Sequence, residues 1–68
     1  MKIIRLKDVI ETTGLSRSTI YNYIDQGVFP KSVPLGGRAI GWVDGEVSDW
    51  LMARVEERDR ALQPLSLA

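Results

Sequence analysis

Two helix boundaries fall within residues 13–21, which have the sequence Thr13-Gly14-Leu15-Ser16-Arg17-Ser18-Thr19-Ile20-Tyr21. Gly14 tolerates the left-handed backbone that ends many helices, and Ser16 is a good N-cap for the helix that follows. Apolar residues recur at helical spacing on both sides of this turn, and they predict helices over residues 7–13 and 17–26. Two short helices joined by a short turn that contains glycine form a helix-turn-helix motif.

The segment after Gly27 is extended and leads into a hairpin. Pro30 and Pro34 do not suit a helix interior, while Gly36-Gly37 can supply the positive φ angles of a tight turn. Residues 39–43 then predict the returning strand, which makes a two-stranded wing. An isolated hairpin is marginal in water, so we expect its apolar side chains to dock on the helices. These side chains are Phe29, Leu35, Ile40 and Trp42.

A third helix is predicted after Asp44, which can cap it, because one apolar stripe continues to Val55. The stripe comprises Val47, Trp50, Leu51 and Val55. We therefore predict a mainly α fold with a small β-hairpin, a winged helix-turn-helix of three helices plus a two-stranded wing. It forms one domain over residues 1–61. Pro64 and the loss of pattern around it predict that residues 62–68 are a frayed tail.

The composition argues against several classes of protein. The 68 residues include no cysteine and no histidine, which removes disulfides, thiolate metal sites and the commonest catalytic base. No pair of carboxylates lies near a nucleophile or a phosphate-binding loop in the sequence. We expect no enzyme activity, catalytic residue, metal or cofactor. Charges interrupt every apolar run, so we expect no signal peptide and no membrane segment, and a cytoplasmic location.

Charge is unevenly distributed along a chain whose net charge is zero. Residues 1–42 carry six basic against three acidic residues, and residues 43–68 carry three basic against six acidic residues. A locally basic surface can attract nucleic acid even when the whole domain is neutral, because the nearby charges dominate the local field. Ordinary segregation of surface charge is the alternative explanation.

The second helix has an apolar face and an unusual polar face. With Ile20 and Ile24 buried, the opposite side of the helical wheel presents Ser18, Tyr21 and Asn22, with Thr19 at its edge and Arg17 in the first turn. Most solvated helices carry Glu and Lys at such positions. An exposed tyrosine has no stabilising role, so we expect Tyr21 to contact a partner. In contrast, we expect Ser16 to act as a cap, and Tyr23, Trp42 and Trp50 to pack in the core.

These polar side chains match the chemistry of double-stranded DNA. Arg17 can pair with guanine O6 and N7, and Asn22 with adenine N6 and N7. The hydroxyl groups of Ser18, Thr19 and Tyr21 can donate to phosphate oxygens. The predicted DNA-binding residues are therefore Arg17, Ser18, Thr19, Tyr21 and Asn22.

The wing supplies the other predicted DNA-binding residues. A tip formed by Gly36 and Gly37 lets the backbone approach a phosphate closely, and Arg38 can reach the DNA backbone or the minor groove. Two glycines that merely close a hairpin are the alternative interpretation. Lys31, one of the basic residues before the wing, is included in the predicted surface.

The motifs also occur in a definite order and spacing over about residues 4–55. The segments are Arg5-Leu6-Lys7-Asp8-Val9, the helix-turn-helix stretch quoted above, Gly27-Val28-Phe29-Pro30-Lys31, Leu35-Gly36-Gly37-Arg38, Gly41-Trp42 and Glu46-Val47-Ser48-Asp49-Trp50-Leu51. As a series they resemble the AlpA family of phage regulatory proteins. The resemblance implies a winged helix-turn-helix akin to MerR-type regulators and excisionases, and a transcriptional regulator of a prophage or mobile element. It places Arg17, Ser18, Thr19 and Tyr21 in the recognition-helix motif, and Gly36, Gly37 and Arg38 in the wing.

Three functions remain open from the sequence. The first is a sequence-specific transcriptional regulator that binds double-stranded DNA. The second is an excisionase-like architectural factor that bends DNA for an integrase and contacts that integrase. The third is a protein-interaction module that no longer binds DNA. A homodimer or a cooperative array on DNA would enlarge the small contact area of one copy, with Met52, Val55 and Leu62 as a self-association stripe.

Overall fold

The computed structural model describes the backbone of residues 1–66 and the side chains of residues 1–61. Three helices and three strands follow one another in the order β1, α1, α2, β2, β3, α3. Their bounds are Ile3–Ile4 for β1, Leu6–Thr13 for α1, Arg17–Asp25 for α2, Val33–Gly36 for β2, Ala39–Val43 for β3 and Asp44–Ser66 for α3. The predicted winged helix-turn-helix with three helices is therefore confirmed.

The turn between α1 and α2 is closed by local hydrogen bonds that the sequence predicts. Gly14 has a φ of 74°, and its backbone N–H donates to the carbonyl oxygen of Ile10 over 2.8 Å. Thr13 Oγ1 donates to the Val9 carbonyl oxygen at 2.8 Å and accepts from the backbone N–H of Leu15 at 3.2 Å. These bonds satisfy groups at the end of α1 and the Leu15 N–H within the turn itself, so the end of the helix is fixed by neighbouring residues.

The sheet contains one strand more than the predicted hairpin. Its order is β1-β3-β2, with all neighbours antiparallel. The short strand β1 pairs Ile3 with Val43 and Ile4 with Trp42. The expectation of a two-stranded sheet was thus incomplete, because two residues are too few to show a strand periodicity and their pairing is supplied by a distant part of the chain.

Gly41 is on the central strand β3, at a point that residues of both neighbouring strands, β1 and β2, approach closely. A Cβ atom at this position would lie 2.5 Å from Cγ2 of Ile3, 3.0 Å from the carbonyl oxygen of Ile4 and 3.1 Å from Cδ1 of Leu35. Each of these separations is shorter than an ordinary van der Waals contact. Glycine at this position is therefore what allows β1 to reach β3.

The core is built around Trp42, which is fully buried on β3. Its indole N–H donates to the Pro30 carbonyl oxygen over 3.1 Å, so the polar atom of this large side chain is satisfied. Trp50 packs on the edge of the same core and donates to the carbonyl oxygen of Val28, with its ring 4.9 Å from that of Phe29. The expected core positions of Trp42 and Trp50 are confirmed. The buried residues are Ile4, Val9, Ile20, Phe29, Trp42 and Val47.

Leu35 does not dock on the helices as expected. Its side chain is 43% exposed, whereas Phe29 is buried and Ile40 is half-buried against the core. The pairing of β2 with β3 shifts register between Pro34 and Gly36, which leaves Leu35 as the extra residue of a bulge. A bulge interrupts the alternation of side chains between the two faces of a strand, so the inward orientation expected for Leu35 is wrong.

Helix α3 begins in the core and then leaves it. Val47 is buried and Leu51 is half-buried, but Val55 is already 37% exposed, and residues 56–61 are all exposed. The backbone remains helical to Ser66, past the domain boundary at residue 61 that we expected. The side chains of residues 62–68, including Leu62 of the predicted self-association stripe, lie outside the described residues, and fraying of this tail stays a prediction. None of the described helices is both long and apolar enough to cross a membrane.

Candidate nucleic-acid interface

The polar face of α2 is exposed, as the helical wheel predicts. Ile20 is fully buried beneath it, while Arg17, Ser18 and Asn22 are exposed on the outer side. These three side chains project from a helix whose opposite face is packed in the core. A protein that reads base edges needs such an arrangement, since side chains on a firmly held helix present their donors and acceptors at fixed positions.

The first turn of α2 is organised by its cap. Ser16 Oγ accepts the backbone N–H of Thr19 at 3.2 Å and donates to Thr19 Oγ1 at 2.9 Å. The assignment of Ser16 as a cap is confirmed. Thr19 is half-buried and its oxygen accepts this bond, which leaves its own hydroxyl hydrogen for a second acceptor such as a phosphate oxygen.

Tyr21 has a structural role that the sequence did not indicate. The side chain is half-buried and packs against the core, and its ring meets that of Trp42 edge to face, with centroids 6.4 Å apart and planes at 65°. The expectation that Tyr21 is exposed without any stabilising contact is therefore wrong. The wheel places Tyr21 on the polar side of α2, and β3 covers part of that side. Contact between Tyr21 and DNA stays a prediction.

Arg17 is restrained by the same tyrosine. Its guanidinium carbon lies 5.8 Å from the centroid of the Tyr21 ring, within the range of a cation–π contact. The two residues are four positions apart, which places them on one face of a helix. Arg17, Tyr21 and Trp42 therefore connect the exposed end of α2 to the strand that carries the wing.

The tip of the wing has the backbone that the glycine pair predicts. Gly36 has a φ of 108° and Gly37 a φ of 55°, both in a region that side chains disfavour. Arg38 is exposed next to them, and so are Pro34 and Leu35 on the preceding strand. Exposure of Leu35 has no signal in the sequence, because the bulge that causes it depends on the pairing of β2 with β3.

Lys31 lies in an environment less favourable for phosphate than the other predicted residues. Its side chain is exposed, and it lines an open groove together with Glu46 and Asp49 from the first turns of α3. Carboxylates near a lysine weaken its attraction for a phosphate group. A role for Lys31 in DNA binding stays a prediction, as do the roles of Arg17 and Arg38.

Helices α1 and α2, the Gly36-Gly37 wing and α3 together define a winged helix-turn-helix protein, with an exposed polar face on α2. Sequence comparison identifies the family to which this winged helix-turn-helix protein belongs. The family model described as prophage CP4-57 regulatory protein (AlpA) matches residues 2–55, and the chain belongs to this AlpA family of prophage regulatory proteins. The residues that the family model matches agree with those that carry the motifs noted in the sequence, about residues 4–55. The match ends where α3 leaves the core.

Two proteins show clear sequence similarity to this chain. An uncharacterized protein, ORF88, of Enterobacteria phage P4 is 42% identical over 59 residues, which cover 87% of this chain and 67% of the phage protein. The DNA-binding transcriptional activator AlpA of Escherichia coli strain K12 is 37% identical over 60 residues, which cover 79% of this chain and 86% of that activator. The chain is therefore similar to one protein from a phage and one from a bacterium.

Proposed function

We propose that this protein is a sequence-specific regulator of transcription that binds double-stranded DNA through α2 and the wing. The observation that carries the proposal is the polar face of α2, where Arg17, Ser18 and Asn22 are exposed above a buried Ile20. Membership of a family of prophage regulatory proteins supports it, as does a relative named as a DNA-binding transcriptional activator. The regulated gene then belongs to a prophage or another mobile element.

Seven of the nine predicted residues are assigned to three kinds of DNA contact in this proposal. Arg17 and Asn22 read base edges in the major groove, since their side chains form bidentate pairs with guanine and adenine respectively. Ser18 and Thr19 bind phosphate oxygens at the start of α2, where the helix dipole also favours an anion. In the wing, Gly36 and Gly37 bring the backbone close to the DNA, and Arg38 reaches a phosphate or the minor groove.

A salt series on random-sequence duplex DNA tests whether the surface binds phosphates at all. Fluorescence anisotropy should show binding at low salt that weakens steeply, with a log–log slope of about −4 for roughly four phosphate contacts. The variant Arg38→Ala should weaken binding on every sequence and make the slope shallower by about one unit. Arg60→Ala is the matched control, because Arg60 is also exposed but lies on the outer part of α3.

Absence of binding at low salt would contradict the proposal and favour a protein-interaction module, whose partner binding would depend little on salt. Base reading requires a second comparison, between a duplex selected by the native protein from a random library and a scrambled duplex. Arg17→Ala and Asn22→Ala should each relax the preference at one position of the selected duplex. Equal losses on both duplexes would contradict the assignment of these residues to base reading.

An architectural function is the second candidate, and the exposed wing residues favour it. Pro34 and Leu35 are apolar and exposed beside the glycine tip, and such residues can act as wedges between base steps in the minor groove. In this proposal the protein bends DNA for an integrase. The native protein should then bend a selected duplex in a circular-permutation assay, and Leu35→Ser should reduce the bend more than the affinity. An unbent complex would favour the first candidate.

Binding as a homodimer or as a cooperative array is a further part of the proposal. A single small module buries about 600–1,000 Å² of its surface on DNA, so a second copy would add specificity. Met52 is 56% exposed and Val55 is 37% exposed on α3, where a second copy could cover them. Sedimentation with and without DNA should show the assembly, and Met52→Lys should weaken it. A monomer in both conditions would contradict this part.

A further inference from the structure

Three side chains form a continuous line of contact from the exposed face of α2 into the core. The Arg17 guanidinium carbon lies 5.8 Å from the Tyr21 ring centroid, and the Tyr21 ring meets the Trp42 ring edge to face at 6.4 Å. Trp42 is itself fully buried and anchored through its indole N–H to the carbonyl oxygen of Pro30. The outermost member, Arg17, is exposed, and the innermost member is the centre of the core.

This line restrains a side chain that is otherwise flexible. An exposed arginine samples many rotamers, and ordering it on binding costs conformational entropy. Within residues 1–61, no carboxylate lies within ion-pair distance of Arg17, whereas Arg54 and Arg58 on α3 both pair with acidic neighbours. The Tyr21 ring therefore supplies the contact that limits Arg17. An aromatic ring does so without occupying the N–H donors that a base or a phosphate would need.

We propose that Tyr21 is a positioning residue, whose ring holds the Arg17 guanidinium in the orientation that reads a base while Trp42 holds the ring. The proposal rests on the proposed DNA-binding function and deepens it. It assigns the contribution of Tyr21 to the aromatic ring, in place of the phosphate contact by its hydroxyl group that the sequence suggested. It also couples the two DNA-binding elements, because Trp42 belongs to β3 and β3 carries the wing.

The expected effect is confined to specific binding. Phosphate contacts by Ser18 and Arg38 do not depend on the orientation of Arg17, so affinity for scrambled DNA should change little. Loss of an exposed cation–π contact corresponds to roughly a two- to fivefold change in affinity, which should appear in the ratio of specific to scrambled binding. This ratio is a robust readout, because a smaller folded fraction lowers the affinity for both duplexes alike.

The experiment is a double-mutant cycle on the full chain. Binding to a duplex selected by the native protein and to a scrambled duplex is measured for Tyr21→Phe, Tyr21→Leu, Arg17→Ala and the double variant Arg17→Ala with Tyr21→Leu. We expect Tyr21→Phe to keep the native ratio and Tyr21→Leu to lower it about two- to fivefold. In the Arg17→Ala background, Tyr21→Leu should cause no further loss in the ratio, because no guanidinium remains to be positioned.

A second readout needs no DNA. A guanidinium held over an aromatic ring places the Arg17 Hδ protons in its ring current, so their NMR signals should be shifted upfield in the native protein and in Tyr21→Phe. In Tyr21→Leu the signals should return to the values of an unrestrained arginine. Identical Arg17 signals in all three proteins would overturn the positioning role.

Two further results would overturn the inference while leaving the proposed function intact. Tyr21→Phe could lose as much of the ratio as Tyr21→Leu, which would assign the contact to the hydroxyl group. Tyr21→Leu and Arg17→Ala could instead have additive effects on the ratio, which would make the two residues independent. A native protein that binds neither duplex would overturn the proposed function. It would also overturn the role of Tyr21 in base reading, which depends on that function.

Discussion

Helices α2 and α3 are both regular, but their surroundings differ. Helix α2 is packed through Ile20, closed at its start by Ser16 and covered along one side by Trp42 of β3. The outer part of α3, residues 54–61, is exposed at every position. The family match also ends at residue 55, where α3 leaves the core.

The part of the chain that contains α2 and the part that contains α3 also differ in net charge. Residues 1–42 carry a net charge of +3 and residues 43–68 a net charge of −3. Both regions hold an arginine over an aromatic ring, Arg17 over Tyr21 at 5.8 Å and Arg54 over Trp50 at 4.9 Å. Arg54 also pairs with Glu57 at 2.7 Å, whereas Arg17 has no ion pair within residues 1–61. A helix held in the core can thus present polar groups at fixed positions, whereas the outer part of α3 neutralises its charges locally. We expect substitutions to affect stability in the first region and to have little effect in the second.

The largest effect is expected at Trp42, which belongs to β3 and contacts Tyr21 of α2. Trp42→Ala should cost about 3–5 kcal/mol of unfolding free energy, because the large buried side chain leaves a cavity. Since a small domain has only a few kcal/mol of net stability, the variant should be largely unfolded by circular dichroism. Glu56→Ala on the exposed outer part of α3 is the control and should unfold as the native protein does. A cooperative transition near the native midpoint for Trp42→Ala would contradict this account of the core.

A glycine in the sheet and a glycine at the start of α3 should respond in opposite directions. Gly41→Ala should cost about 1–3 kcal/mol, because the new Cβ collides with Ile3 and with the backbone of Ile4. Gly45→Ala should stabilise the protein by about 0.5–1 kcal/mol, since nothing lies within 4 Å of its Cβ position and alanine favours the helix. Chemical denaturation measures both.

Adding Ile3→Ala to Gly41→Ala should recover part of the loss, because it removes the nearest contacting atom, Cγ2 of Ile3. A destabilising Gly45→Ala, or a neutral Gly41→Ala, would show that the packing difference between the sheet and α3 does not control stability.

Two serines extend the same comparison. Ser16→Ala should cost about 1 kcal/mol, because the backbone N–H of Thr19 loses its acceptor at the start of α2. Ser48→Ala is the matched substitution on the exposed side of α3 and should change stability by less than about 0.5 kcal/mol. Thermal unfolding of the two variants side by side distinguishes them. Equal losses would mean that the cap contributes nothing beyond helix propensity.

The smallest effect is expected for the ion pair between Arg54 and Glu57. Their side chains are 42% and 57% exposed, so water and salt screen the attraction strongly. Glu57→Gln should cost at most about 0.5 kcal/mol at low salt, and the difference from the native protein should vanish at high salt. A larger, salt-independent loss would indicate that the outer part of α3 is packed in solution, for example against a second copy.

The sequence by itself determined the features that depend on near neighbours. The ends of α1 and α2 follow from Gly14 and Ser16, the tip of the wing from Gly36 and Gly37, and the burial of Trp42 from its place in an apolar run. The exposure of Arg17, Ser18 and Asn22 also follows from helical spacing, because residues on one face of a helix have a fixed angular separation. The AlpA family could be recognised in the same way, from the order and spacing of short segments.

Tertiary structure decided the features that depend on distant pairing. Strand β1 exists because Ile3 and Ile4 pair with β3, and Leu35 is exposed because the register of β2 shifts at the bulge. Lys31 lines a groove with carboxylates that are distant in sequence, and Tyr21 packs on Trp42 although the wheel places it among polar residues. The physical reason is common to all four. A helical or strand period describes the directions of side chains within one element, whereas contacts between elements depend on their registers and on which faces they bring together.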